Sequence, residues 1–114
     1  WSLPGGWCEV DMSPVANTVK EAKEEAGRDI VVKSVIAVQD RSLHNQPLYA
    51  YGVVKIFYLC EELGGEFCEN SETVGVGYFA EDELPTLAEE KCNAEQVKMC
   101  FAAERASEWK TLFD

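Results

Sequence analysis

Three glutamates, Glu21, Glu24 and Glu25, lie close together in the run Lys20-Glu21-Ala22-Lys23-Glu24-Glu25-Ala26-Gly27. In a helix, at about 100° per residue, their carboxylates share roughly one third of the circumference. Carboxylates crowded in this way repel one another. A hard divalent cation relieves the repulsion, because Mg²⁺ takes oxygen ligands and keeps several waters. Such a cluster can hold a metal against phosphate oxygens. The competing reading is a solvated acidic helix face with Lys20 and Lys23 as its counter-charges.

The flanking residues predict the helix that this chemistry needs. Ser13-Pro14 is a start signal: the hydroxyl accepts from orphan amides, and proline suits the first helical position. The helix is expected to run to about Ala26, with Gly27 as its left-handed stop. Val15, Val19, Ala22 and Ala26 form a core-facing stripe, and the glutamate face points away from Val15, Val19 and Ala22. Before the helix, Leu3-Pro4-Gly5-Gly6 reads as a turn and Trp7-Cys8-Glu9-Val10 as a short strand.

After it, residues 30–38 are β-branched and predict one or two strands. His44-Asn45-Gln46-Pro47 is a loop, and residues 49–59 form a long, central strand. Gly64-Gly65 marks a turn, residues 68–73 a loop and residues 74–79 a further strand. Glu81-Asp82-Glu83-Leu84-Pro85 is a single helical turn. Asn93 with Gln96 makes a capping-box start for a last helix to about residue 108, with Val97, Cys100 and Phe101 facing the core. The order predicts an α/β or α+β layered domain, a mixed sheet with helices packed on it. The strands are few for a closed sandwich, so partner strands are expected upstream of Trp1. The abrupt opening Trp1-Ser2-Leu3, without Met, reads as a fragment or a processed product.

Composition narrows the function classes. A length of 114 residues suits one domain with one core. The hydrophobic share of 46% is that of a globular chain. A formal charge of −11 argues against bulk nucleic-acid binding, which uses basic patches to displace counterions. An acidic protein still binds a phosphorylated ligand when a divalent metal supplies the positive charge. No apolar run is long enough to span a membrane, and no secretory signal opens the chain. The cysteines are Cys8, Cys60, Cys68, Cys92 and Cys100. None forms a Cys-x-x-Cys pair, so a structural zinc site is poorly supported. An odd number fits no complete disulfide framework, so reduced thiols in a cytoplasmic protein are the expectation.

From Gly6 the chain runs Gly6-x5-Met12-x7-Lys20-Glu21-Ala22-x-Glu24-Glu25-x-Gly27. This resembles the box of the Nudix hydrolases, Gly-x5-Glu-x7-Arg-Glu-aliphatic-x-Glu-Glu-x-Gly-aliphatic, and the spacing agrees throughout. Leu3-Pro4-Gly5, Ser13-Pro14, the segment Glu72-Thr73-Val74-Gly75-Val76-Gly77-Tyr78-Phe79 and Asp82-Glu83-Leu84-Pro85 are also similar to that family. Three positions depart from the pattern: Met12 for Glu, Lys20 for Arg and Arg28 for an aliphatic residue. Met12 removes a supporting group. Lys20 keeps the charge but lacks the bidentate fork that could orient Glu24.

The resemblance implies a mixed-sheet α/β/α sandwich over residues 1–114, lacking its N-terminal strand or strands. It also implies Mg²⁺, or Mn²⁺ in its place, held by Glu21, Glu24 and Glu25, with the backbone carbonyl of Gly6 as a further ligand. Glu24 or Glu25 would help to deprotonate water, and Glu72 would complete the metal site or act as base. Trp1-Ser2-Leu3-Pro4-Gly5-Gly6-Trp7, His44-Asn45 and residues 72–79 look most like bacterial members with a small helical domain ahead of the core. That subgroup implies nucleoside diphosphate-linked substrates of the ADP-ribose or CDP-choline type, and a homodimer is compatible with it. Trp1, Tyr49 and Tyr51 could stack on a base, or serve ordinary packing. His44 could contact phosphate or ribose, or be a plain surface histidine. Two other classes remain. A catalytically silent Nudix-like ligand sensor keeps the fold and loses the acidic helix; an acidic adaptor domain would show no divalent-ion effect on melting. The retained glutamates favour the enzyme.

Overall fold

Ser13 is extended (φ −69°, ψ 154°) and its hydroxyl accepts from the Ala16 amide, which starts helix α1 (Pro14–Ala26) with proline in its first turn. Gly27 ends it in the left-handed conformation (φ 67°), and its amide donates to the Ala22 and Lys23 carbonyls. In this computed structural model, which describes residues 1–71 and 73–114, five further elements follow among the described residues. They are β1 (Arg28–Asp40), a 3₁₀ turn (Arg41–Leu43) leading to β2 (Val54–Gly65), α2 (Ala94–Arg105) and β3 (Leu112–Phe113). The strands form one sheet in the order β2-β1-β3. β3 runs parallel to β1, with Ala37 opposite Leu112 and Val38 opposite Phe113. The architecture is the expected mixed α/β class.

The chain divides into two compact units. The first comprises Trp1–Ser2, Ser34–Leu59 and Phe79–Asp114. Its core is Ile36, Ala37, Phe57, Cys92, Val97 and Ala103. Trp109 packs against this core and donates from its indole to the Ile36 carbonyl at 2.9 Å, which gives its polar edge a partner. Asn93 opens α2 with the expected capping box: its side chain accepts from the Gln96 amide, and the Gln96 side chain accepts from the Asn93 amide, both at 2.9 Å. Cys100 and Phe101 lie against the core as expected.

Gln96 also joins a buried amide network. Its Nε2 donates to Gln39 (2.9 Å) and to Asn45 (2.8 Å), and Asn45 donates back to Gln96 (3.0 Å) and to the Glu89 carbonyl (2.9 Å). Buried amides are costly unless paired, and here each is paired with another.

The second unit comprises Leu3–Lys33 and Cys60–Tyr78. Ala22 and Ala26 are buried, Val19 is half-buried and Val15 is exposed, so the apolar stripe covers only the later turns of α1. The carbonyl of Glu66 passes so near Gly27 that a Cβ there would lie 1.9 Å from it. A Cβ on Gly65 would lie 2.1 Å from the Gly27 carbonyl. Gly27 therefore serves a close backbone crossing as well as a helix stop.

Four local expectations fail. Residues 7–10 are not a strand: a turn closes there, with the Met12 amide donating to the Glu9 carbonyl at 3.2 Å. β2 starts at Val54 and runs through Gly64 and Gly65, so the glycines end a strand instead of forming a separate turn. Residues 74–79 have no strand assignment. α2 stops at Arg105, three residues short of the expected end. β3, which the sequence reading did not anticipate, contributes only two residues. No helix among the described residues is long and apolar enough to cross a membrane. No disulfide joins the cysteines; burial pushes the Cys100 thiol up to about 12, which keeps it protonated.

Candidate active site

In the second unit the loop ahead of α1 is fixed to the helix by Asn17. This side chain is buried; its oxygen accepts from the Glu9 amide (3.2 Å) and its nitrogen donates to the Trp7 carbonyl (3.0 Å). The loop is thereby laid along the glutamates. The Gly5 amide donates to Oε2 of Glu25 at 3.2 Å. A Cβ on Gly6 would lie 2.9 Å from Cδ of Glu21 and 3.0 Å from its Oε1. Glycine at position 6 is thus what allows the Glu21 carboxylate to lie against the loop backbone. Two of the glutamates meet consecutive residues of one glycine turn.

Glu24 takes a different partner. Lys20 pairs with Glu24 at 3.1 Å, one turn along the helix, and with Glu9 at 2.7 Å. These hydrogen bonds, first to Glu9 and then to Glu24, hold the Lys20 ammonium well above its ordinary range. The lysine that replaces the arginine of the box therefore still holds Glu24, as a point charge between two carboxylates. Glu9, to which the sequence reading gave no role, supplies a carboxylate three residues before Met12, where the box has its own.

Arg28 also gains a reason. It donates to the Gly65 carbonyl at 2.7 Å and pairs with Glu62. Glu62 accepts from the Tyr78 hydroxyl at 2.7 Å. That bond, followed by the contact with Arg28, keeps the Glu62 carboxyl below its ordinary value. The position that is aliphatic in the box thus carries a polar tie from the start of β1 to the end of β2. Its Nε is buried with no hydrogen-bond partner among the described residues.

Among the described residues, no three of His, Cys, Asp and Glu are grouped to hold a metal ion. The structure therefore does not gather Glu21, Glu24 and Glu25 into one ready-made ligand set. Mg²⁺ is held by one or two carboxylates, waters and substrate phosphates, not by a closed protein cage. Glu21 and Glu25 against the Gly5-Gly6 backbone offer hard oxygen donors of that type. Glu72 lies outside the described residues.

The other three expected site residues belong to the first unit. Trp1 stacks edge-on against Phe79 (centroids 4.9 Å apart), and its carbonyl accepts from the Ala88 amide at 2.7 Å. His44 is half-buried, and its Nε2 lies 2.6 Å from Oδ2 of Asp114. Tyr49 lies under the guanidinium of Arg41, 3.6 Å from the ring centroid, with Tyr51 beside it at 5.5 Å. Arg41 is buried and donates to the carbonyls of Pro47 (2.6 Å) and Glu90 (2.9 Å). Arg41, which no sequence motif marks, braces the Tyr49 ring. Tyr49 itself precedes β2 in an irregular segment, so its ring is placed by Arg41 and not by a strand.

No family model matches the chain, but individual proteins do. YjhB of Bacillus subtilis strain 168, provisionally named an ADP-ribose pyrophosphatase, is 40% identical over 114 residues, which is 100% of this chain and 55% of that protein. A MutT-like protein of Streptomyces ambofaciens is 29% identical over 84 residues, covering 74% of this chain and 50% of its own. The chain thus spans about half the length of the curated relatives it matches. Among solved structures, an ADP-ribose pyrophosphatase from Streptococcus suis 89-1591 superposes with a TM-score of 0.92 at 50% identity, over 100% of this chain and 81% of that one. A UDP-X diphosphatase superposes with a TM-score of 0.88 at 34% identity, over 98% of this chain and 54% of that one. With the spacing from Gly6 to Gly27 and the whole-chain likeness to the Streptococcus enzyme, the chain belongs to the Nudix hydrolase family.

Proposed function

We propose that the protein hydrolyses the pyrophosphate bond of a nucleoside diphosphate linked to another group, in a reaction that depends on Mg²⁺ or Mn²⁺. One observation carries the reading: Glu21 and Glu25 both lie against the glycine turn, one with its carboxylate on Gly6 and the other accepting from the Gly5 amide. Glu21, Glu25, Glu24 and the Gly6 carbonyl would hold the ion. When bound, it supplies positive charge for the phosphate oxygens and acidity for water. Glu24 or Glu25 takes the proton from the attacking water, and Lys20 keeps Glu24 oriented for either duty. Glu72 is proposed as a further acid or base from its place in the sequence.

The names of the relatives support substrates of the ADP-ribose type or the broader nucleoside diphosphate class. Tyr49, braced by Arg41, is the proposed stacking surface for the base, with Trp1 and His44 as further substrate contacts. Residues 1–114 are proposed to act as one catalytic domain, in the cytoplasm. A panel of ADP-ribose, CDP-alcohols, nucleotide sugars and nucleoside triphosphates, assayed with each ion, tests the proposal. Turnover confined to the diphosphate-linked compounds is expected. Turnover of triphosphates alone would overturn the substrate class.

A further inference from the structure

α1 ends with carbonyl groups that have no partner inside the helix. Gly27 answers one of them, that of Lys23, at 3.0 Å. The carbonyl of Glu24 is answered from elsewhere in the second unit: Nδ2 of Asn70 donates to it at 3.1 Å. The same side chain closes its own turn. Its Oδ1 accepts from the Thr73 amide at 2.9 Å, and its backbone amide donates to the Thr73 carbonyl at 3.2 Å. The nitrogen also donates to the Cys68 carbonyl at 3.4 Å, so one side chain holds Thr73 through its oxygen and reaches Cys68 and the acidic helix through its nitrogen. The site of attachment is Glu24, whose side chain is held at the same time by Lys20.

We propose that Asn70 is a positioning residue for the hydrolytic reaction: it ties itself and Thr73 to the backbone of Glu24 and so fixes the end of α1 that carries Glu24 and Glu25. The inference rests on the proposed function for its chemistry and on Asn70, Thr73 and Glu24 for its geometry. A displacement on the order of 1 Å is enough to cost a large factor in rate when reacting groups must be aligned. The tie is exposed and neutral, so it adds little to folding. Its loss is therefore expected to appear in turnover before it appears in stability.

Two substitutions isolate the tie. Asn70→Asp keeps the oxygen that accepts from Thr73 and loses the nitrogen that reaches Glu24. Asn70→Ser keeps a shorter acceptor and also loses the reach. Each is compared with the wild-type protein on the best substrate of the panel, with Mg²⁺ for kcat and KM and without metal for the unfolding midpoint. The expected result is a fall in kcat of about tenfold or more in both variants, with KM within about twofold. The metal-free midpoint should stay within about 2 °C of wild type. A kcat within about threefold of wild type in either variant would overturn the proposal. So would a loss that follows KM, or one that follows the midpoint. A wild-type protein with no turnover on any substrate defeats the proposed function instead, which keeps the two failures apart.

Discussion

The two units hold their polar groups in opposite ways. In the first, Gln39, Asn45 and Gln96 are buried neutral amides bonded to one another. In the second, Glu21, Glu24 and Glu25 line a surface helix beside a glycine turn, with Lys20 drawn between Glu9 and Glu24. A buried network whose members satisfy each other has nothing to offer a ligand without breaking its own bonds. A carboxylate row with surplus negative charge gains when a cation arrives. If the first cluster is architecture and the second serves the proposed chemistry, substitutions in the two should separate stability from activity.

Glu25→Gln tests the chemical side most severely. It removes the charge that the proposed metal or water proton would require, so kcat should fall about a hundredfold or more while the fold persists. Steady-state kinetics beside a thermal melt would check both. Gln96→Leu tests the architectural side. It strands Asn45 and Gln39 and removes half of the α2 capping box, for a loss of about 2–4 kcal/mol in a denaturant titration. The kcat of the molecules that remain folded should hardly change. A large fall in kcat with unchanged stability would invert the comparison.

Gly6→Ala sharpens the contrast. The new Cβ would meet the far end of a flexible side chain, the Glu21 carboxylate, so that carboxylate should swing away at little cost to folding. Activity should fall about tenfold, and the Mg²⁺ concentration for half-activation should rise. Saturating Mg²⁺ should also raise the melting temperature of the wild type, by about 2.7 kcal/mol in stability at a hundred times its dissociation constant. Glu21→Gln should blunt that gain and Gln96→Leu should not.

The smallest effect concerns pH. The Asp40 amide, and after it His44, hold the Asp114 carboxyl below its ordinary value of 3.8. Its contribution is complete above that value and is lost as pH falls through the lower folded value. Asp114 is exposed, so Asp114→Asn should flatten the acid limb of a pH–stability curve only slightly.

Much of the second unit was legible because its signals are local. Ser13, Pro14 and Gly27 bound α1 within a few residues, and the glutamate spacing fixes which side chains share a face. Asn93 and Gln96 bound the start of α2 in the same way. What the sequence did not disclose depends on returns of the chain. The residue type of Tyr49 favours a strand, but Arg41 bonds the Pro47 carbonyl and the segment stays outside β2. β3 is a pair of residues whose pairing with β1 spans most of the chain. Asn17 on α1, and Glu9 and Asn70 in the segments that meet it, act through contacts made only in three dimensions, and none carries a motif that would single it out.

The central claim is that the carboxylates of α1 serve a metal-dependent pyrophosphate hydrolysis. The most direct measurement is product identification by chromatography after incubation of the protein with ADP-ribose, with Mg²⁺ and with a chelator in its place. The account predicts that a nucleoside monophosphate is released with Mg²⁺ and not with the chelator. Tight binding of the compound without release, or release that ignores the metal, would contradict it.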